Sequence, residues 1–132
     1  MRTRVYVDGF NLFYGALSGS HFKWLDLFSL FQDRVLDAEA KVEHVRYYTA
    51  PIKASAADDP QAPIRQQRCL RALRAYRPDQ ITICEGFIQR TSPRLRLADP
   101  IQGVRAAELV KVLQFTEKQT DVNLAVDLLS DA

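Results

Sequence analysis

The residues best suited to chemistry lie near the N-terminus, where an apolar run ends in a carboxylate followed by a carboxamide. Residues 4–7 (Arg-Val-Tyr-Val) lead into Asp8, and Asn11 follows three residues later. If this run is a strand of an open α/β sheet, both side chains lie at its carboxyl end, where such sheets bind ligands. Oxygen ligands of this kind suit a hard divalent cation. The spacing therefore predicts a cation site, and the alternative is that Asp8 only caps the next helix.

A second set of candidate residues is basic and recurs at every third position along one predicted helix, as Arg65, Arg68, Arg71 and Arg74. Clustered arginines can follow a phosphate backbone, so we expect Arg65 and Arg68 to contact substrate phosphates. The alternative is a solvated polar helix face. The formal net charge of +2 is too small to indicate nucleic acid by itself.

The elements that must position these residues alternate between strand and helix, which predicts a parallel sheet covered by helices. The predicted strands are residues 3–8, 42–49 and 81–84. The predicted helices are residues 12–17, 27–36 (capped by Asp26) and 63–76, with a surface loop at 52–61. Right-handed crossovers predict a strand order beginning 3-2-1, with a neighbour on only one side of strand one.

The pattern changes after Gly86. Residues 87–90 and 94–97 read as two extended runs around a turn, a β-ribbon insertion. The β-branched residues of 109–116 favour a strand, with a helix opening at Ala106-Ala107-Glu108 as the alternative. Thr120 is predicted to cap a last helix that extends to Ala132. Its apolar stripe is Val122, Ala125, Val126 and Leu129.

Bulk composition indicates one soluble globular domain over residues 1–132, with 47% hydrophobic and 26% charged residues. No apolar stretch approaches the roughly 20 residues of a membrane-spanning helix, and Met1 leads straight into a strand. Cys69 and Cys84 lack metal-ligand spacing, so we expect reduced, buried thiols. These features predict a cytoplasmic protein without a membrane partner.

Two segments of the chain resemble the bacterial NYN domain proteins, a LabA-like, PIN-related family. The first is residues 8–15 (Asp-Gly-Phe-Asn-Leu-Phe-Tyr-Gly) and the second is residues 116–125 (Thr-Glu-Lys-Gln-Thr-Asp-Val-Asn-Leu-Ala). They occur in the family's order and separation, and the resemblance covers essentially the whole chain. It implies a PIN-like (Rossmann-like) three-layer α/β sandwich and metal-dependent ribonuclease activity on single-stranded RNA.

The resemblance also implies roles for individual residues. Asp8 and Asp121 match the acidic positions that hold Mg²⁺ or Mn²⁺. Asn11 matches the polar position that orients the first carboxylate or a metal-bound water. Lys118 and Asn123 belong to the second segment, where they are expected to contact a phosphate or brace the loop before Asp121.

The chain departs from the family at its C-terminal end. Family members continue into a further strand with a Ser-Asn-Asp-Ser-Asp-like end, so we expect C-terminal strands to be missing and strand one to be an exposed edge. An exposed edge predicts self-association. Asp127 and Asp131 are expected on the helix surface, where Asp127 lies roughly 240° around the helix from Asp121.

The missing part also bears on activity. Two carboxylates can hold one Mg²⁺ with waters, whereas two-metal hydrolysis needs more anionic ligands. The alternative function is therefore a non-catalytic RNA-binding or regulatory domain. A nucleotide-binding Rossmann domain is disfavoured, because no Gly-x-Gly-x-x-Gly follows strand one.

Overall fold

In a computed structural model, which describes residues 1–21, 24–105 and 107–132, three parallel strands form the central sheet. They are β1 (Arg2–Asp8), β2 (Lys41–Thr49) and β3 (Ile81–Glu85). The order is β1-β2-β3, so β2 lies in the middle and is parallel to both neighbours. The predicted α/β class with a parallel sheet is confirmed, and each strand boundary is within one residue of its prediction.

Helices connect the three strands, as the alternating pattern predicts. Helix α1 (Gly9–Leu12) begins directly after β1 and continues as a π-helical turn to Leu17. Helix α2 (Leu27–Leu30) continues in the same way to Val35, and α3 (Ala62–Tyr76) precedes β3. The Asp26 carboxylate accepts hydrogen bonds from the backbone N–H groups of residues 28 and 29, which confirms the predicted cap. No helix among the described residues is long and apolar enough to cross a membrane.

One face of the sheet carries the hydrophobic core. Alternate residues of each strand point to this face, and the register aligns Val5, Val45 and Ile81 across the three strands. Val45 is fully buried, and helices α2 and α3 contribute Leu27, Phe28 and Leu73 to the same cluster. Burial of this apolar surface is the main favourable term that holds these helices on the sheet.

The opposite face of the sheet is polar, and helix α4 (Thr120–Asp131) covers it through charged groups. Arg46, on the middle strand, lies 3.0 Å from the Asp127 carboxylate and 3.1 Å from the Asp131 carboxylate. Tyr48 Oη donates to Asp127 at 2.8 Å, and Tyr6 Oη donates to Asp131 at 2.6 Å. The prediction that both aspartates lie on the helix surface is wrong, because this sheet face offers cationic and hydroxyl partners rather than apolar ones.

The apolar stripe of α4 consequently faces away from the sheet. Val122 is 64%, Val126 55% and Leu129 79% exposed, and Ala125 is exposed too. A helix normally buries such a stripe against the core. Here the acidic side of the helix is bonded to the sheet instead, so the stripe forms a surface.

Two small antiparallel pairs complete the described structure, formed by β4 (Phe87–Thr91), β5 (Arg94–Arg96), β6 (Leu109–Lys111) and β7 (Gln114–Lys118). Strand β4 pairs with β7, and β5 pairs with β6. The strand prediction for 109–116 is confirmed, although the segment is divided between β6 and β7. The two runs of the predicted ribbon pair with this later segment and not with each other. The alternative prediction is a helix that opens at residues 106–108, and its first residue, Ala106, lies outside the described residues.

Removing Arg46 should loosen α4, because Asp127 and Asp131 would then face each other without their shared cation. We expect Arg46→Ala to lower the free energy of unfolding by about 2 kcal/mol, between the values for exposed and buried ion pairs. Urea denaturation measures this loss. Arg2→Ala is the matched control, since its ion pair with Glu43 is exposed and should contribute little. Equal losses in the two variants would contradict the proposed anchoring of α4.

Docking of α4 should also be sensitive to acid. The hydrogen bond from Tyr6, with the nearby Arg46 and Arg4, lowers the pKa of the Asp131 carboxyl. A pKa that is lower in the folded than in the unfolded protein contributes stability above the unfolded value of about 3.9. That contribution is lost as the pH falls through the folded pKa. Unfolding measured from pH 7 to pH 2 should therefore show a low-pH decline that Asp131→Asn makes shallower, and an unchanged decline would contradict this role.

Candidate functional site

Asp8 ends β1, and its carboxylate is held by Asn11. Oδ1 accepts a hydrogen bond from the backbone N–H of Asn11 at 3.0 Å, and Oδ2 accepts one from the Asn11 side-chain amide at 2.7 Å. The capping role is therefore confirmed, and the cation role stays a prediction. The two roles are compatible, because each carboxylate oxygen has a second lone pair. Asn11 thus orients the Asp8 carboxylate at the carboxyl edge of the sheet.

Close backbone contact fixes where α1 begins. A Cβ atom added at Gly9 would lie 2.6 Å from the carbonyl oxygen of Tyr48 and 2.7 Å from the ring of Tyr47. No side chain fits in that space, so only glycine allows the chain to turn this tightly against β2. The contact places Asp8 and the first turn of α1 beside the end of the middle strand.

The start of α4 is held by a second glycine contact. A Cβ at Gly86 would lie 2.2 Å from the carbonyl oxygen of Lys118, so the chain before α4 passes directly over the end of β3. The backbone N–H of Gly86 also donates to the carbonyl of Thr49, the last residue of β2, at 2.8 Å. The segment that leads into Asp121 therefore lies at the same sheet edge as Asp8.

Glu117 stabilises the first turn of α4. Its Oε1 accepts hydrogen bonds from the backbone N–H of Thr120, at 3.0 Å, and from the Thr120 hydroxyl. The predicted capping role of Thr120 is wrong: Thr120 is the first helical residue, and Gln119 takes the cap position with a φ of 75°. The reason is that the hydroxyl donates to Glu117 and is not needed as an acceptor for the helix. Asp121 follows in the exposed first turn.

The other predicted site residues are distributed around this edge. Lys118 is exposed at the end of β7, and Asn123 is half-buried in α4 with its backbone N–H bonded to the carbonyl of Gln119. Within residues 1–21, 24–105 and 107–132, no three His, Cys, Asp or Glu side chains form a group that could hold a metal ion.

A cleft of about 570 Å³ opens at this edge, between α1, α3 and the β4–β7 pair. Its lining is rich in aromatic side chains, namely Phe10, Phe13, Tyr14, Trp24, Tyr47 and Phe115. The rings of Phe13 and Tyr14 meet edge to face at 5.2 Å, and those of Phe10 and Tyr14 stack at 6.4 Å. Such a cleft is suited to a flat, largely apolar ligand.

Satisfied polar groups form part of the cleft wall. The buried Gln66 accepts a hydrogen bond from the backbone N–H of Ile52 at 2.8 Å and donates to the carbonyl of Ala50 at 3.0 Å. These bonds tie the loop after β2 to α3. Cys69 also lines the cleft and is half-buried, and burial raises the pKa of its thiol. The thiol therefore stays protonated at neutral pH and provides no thiolate nucleophile.

The arginines of α3 are exposed, and two of them lie at openings in the surface. Arg65 lines the cleft and forms an ion pair with Asp59, which also lines it. Arg68 lines a neighbouring groove of about 490 Å³ together with Trp24 and Tyr76. Arg65 is thus partly neutralised, whereas Arg68 has no ion-pair partner among the described residues.

The sequence interpretation did not assign a function to the aromatic lining or to Glu117. Phe10, Phe13 and Tyr14 recur at i, i+3 and i+4, which is the spacing of one helix face and was an available signal. Glu117 is three residues before Thr120, the distance over which a side-chain oxygen accepts a hydrogen bond from a backbone N–H at a helix start. The contribution of Phe115 depends on the β4–β7 pairing, which no local pattern indicates.

Comparison with known proteins gives one informative likeness. No protein-family model matches the chain, and no solved structure matches it. A 6-hydroxy-3-succinoylpyridine 3-monooxygenase of Pseudomonas putida is 31% identical over 149 aligned positions. The alignment covers 100% of this chain but 48% of the monooxygenase, so the chain spans about half the length of that relative.

The glycine contact at the start of α4 can be tested directly. Gly86→Ala places a methyl group against the Lys118 carbonyl, so the loop that carries Asp121 must move. We expect a loss of about 3 kcal/mol in the free energy of unfolding. Gly15→Ala is the matched control, because a Cβ there has no atom within 4 Å and alanine favours a helical segment. Urea denaturation measures the free energy of unfolding of both variants. Similar values would mean that the contact between Gly86 and Lys118 leaves room for a side chain.

Proposed function

We propose that this chain hydrolyses phosphodiester bonds of single-stranded RNA with a carboxylate-held divalent cation, in a PIN-like domain of NYN type. A PIN-like domain would have a strand order beginning 3-2-1, and the observed order β1-β2-β3 is compatible with it. One observation carries the proposal: residues that position both predicted metal ligands line the same cleft. Gly9 and Phe10 follow Asp8, and Glu117 holds the turn that presents Asp121.

Carboxylates are ligands that a hard cation prefers, and of the two expected ligands Asp8 is already oriented by Asn11 while Asp121 is exposed. When bound, Mg²⁺ or Mn²⁺ would polarise the phosphoryl oxygen and acidify a water. The protein's own groups would then position the strand. Lys118 is next to the start of α4, and Arg68 is available for a neighbouring phosphate.

Cleavage of RNA tests the proposal. The purified chain should cut a labelled single-stranded RNA with Mn²⁺ or Mg²⁺, and EDTA should stop the reaction. Asp8→Asn and Asp121→Asn should each reduce cleavage to background, since an amide is a weaker ligand than a carboxylate. Asp37→Asn is the matched control, because Asp37 is exposed in the turn before β2, and it should cleave at the wild-type rate.

Two other outcomes would point elsewhere. A wild-type chain that retards RNA in a gel without cutting it would be a non-catalytic RNA-binding or regulatory domain. Cleavage that survives both aspartate substitutions would contradict the assigned site.

Self-association is part of the proposal. The exposed stripe of α4 and the outer edge of β1, which has no second partner strand among the described residues, both support it. Either surface would bury apolar or backbone groups against a second copy.

A second candidate function is the binding of a hydroxylated pyridine, and the aromatic lining of the cleft favours it. The relative from Pseudomonas putida is named for oxygenation of 6-hydroxy-3-succinoylpyridine. A planar ring of that kind would pack against the aromatic side chains of the cleft. Saturable binding of 6-hydroxy-3-succinoylpyridine by a chain that neither binds nor cuts RNA would establish this candidate over the first.

A further inference from the structure

Two of the aromatic side chains that line the cleft are also exposed to solvent. Tyr14 is 71% and Trp24 46% exposed, although each has a ring large enough to stabilise a core. Exposed aromatic rings grouped at a concave surface are typical of a binding site rather than of a packed core. The mechanism proposed above makes no use of them.

We infer that this cleft binds one unpaired nucleobase of the RNA strand, beside the phosphate held at Asp8 and Asp121. The inference rests on the proposed ribonuclease function. It specifies the substrate as a single RNA strand in which one base can unstack from its neighbours and enter the cleft. Base stacking on aromatic side chains needs no particular sequence, because every base has a π-face. A volume of about 570 Å³ is within the range of small-ligand pockets and does not admit a duplex.

The charged side chains that line the cleft are net acidic, and the cation available to a nucleotide strand lies in the neighbouring groove. Trp24 lines both the cleft and the neighbouring groove, and Arg68 lines that groove. A strand whose base stacks in the cleft can therefore place its backbone along the groove, near a guanidinium. The acidic groups at the cleft are Asp58, Asp59 and Glu117, of which Asp59 is paired with Arg65.

Glu117 gives the cleft a preference among bases. Its Oε1 is occupied by Thr120, whereas Oε2 accepts no hydrogen bond from any residue that the structure describes. A carboxylate oxygen accepts from the exocyclic amino group of cytosine, but uracil presents a carbonyl oxygen at that position. Cytosine should therefore bind more tightly than uracil.

Fluorescence of Trp24, which is the sole tryptophan of the sequence, provides the test. The full chain is titrated in EDTA with CMP, UMP and ribose 5-phosphate, none of which contains a phosphodiester bond that it could cleave. CMP should quench the emission saturably, UMP should bind several-fold more weakly, and ribose 5-phosphate, which lacks a base, should leave the emission unchanged. Glu117→Gln should reduce the preference for CMP over UMP, because the amide retains an acceptor for Thr120 and adds a donor.

A pair of tyrosine variants locates the base. Tyr14→Ala should weaken CMP binding about tenfold, the loss expected for one stacking partner. Tyr76→Ala is the matched control, since Tyr76 is 70% exposed and lines only the groove. Both side chains are exposed, so neither substitution should unfold the chain, which circular dichroism of the two variants would check.

Several results would overturn the inference: no response to CMP, an equal response to ribose 5-phosphate, or a larger loss for Tyr76→Ala than for Tyr14→Ala. Binding of 6-hydroxy-3-succinoylpyridine without any nucleotide would overturn it as well. Failure of the proposed function is distinguishable. RNA cleavage without CMP binding would contradict the base site alone. CMP binding without cleavage would contradict only the catalytic role of Asp8 and Asp121.

Discussion

The position of α4 depends on charge pairing between the helix and the middle strand of the sheet. Arg46 forms ion pairs with both Asp127 and Asp131, which are one turn apart on α4. The two pairs together fix the position of the helix along β2 and the direction of its axis. Tyr48 adds a buried hydroxyl donor, and its burial and its bond to Asp127 raise its pKa, so the proton stays in place across the neutral range. The helix is thus anchored without its apolar side. Because Asp121 is in the same helix, this network also determines where the predicted metal ligand lies.

The carboxyl edge of the sheet is shaped by two contacts in which no side chain fits. Gly9 lies under the carbonyl of Tyr48, and Gly86 lies under the carbonyl of Lys118. The first contact determines where α1 leaves β1, and the second determines where the chain passes before α4. The polar network acts toward the C-terminal end of α4 and the Gly86 contact acts before its first turn, so the helix is constrained both along its length and at its start. The aromatic cleft is the space left between these constrained segments, and Glu117 joins its wall to the first turn of α4.

Local patterns were sufficient for much of the fold. The strand boundaries follow from β-branched runs bounded by turn residues, and Asp26 and Asp8 are caps that act on residues two or three positions away. What could not be predicted has long sequence separation. Tyr48 meets Asp127 across 79 positions and Tyr6 meets Asp131 across 125, and neither pairing leaves a periodic trace. The apolar stripe of α4 even suggested the wrong face for the sheet, because periodicity describes a helix and not the polarity of the surface it meets.

The two candidate functions make different demands on the same edge of the molecule. A flat heteroaromatic ring, whether nucleobase or pyridine, needs only the aromatic lining, so the cleft by itself does not separate them. Phosphodiester hydrolysis also needs anionic oxygens that hold a cation beside the ring, and ring binding gives no reason for such groups. Asp8 is bonded on both oxygens by Asn11 and lies directly before the cleft-lining Gly9. Its capping role accounts for these bonds, and the nuclease proposal adds a cation on the remaining lone pairs. One fold can carry unrelated activities. A 31% identity that covers 48% of a monooxygenase therefore does not decide between the two functions. The proposed nuclease therefore depends on a cation binding to the oriented Asp8 carboxylate, which ring binding does not need.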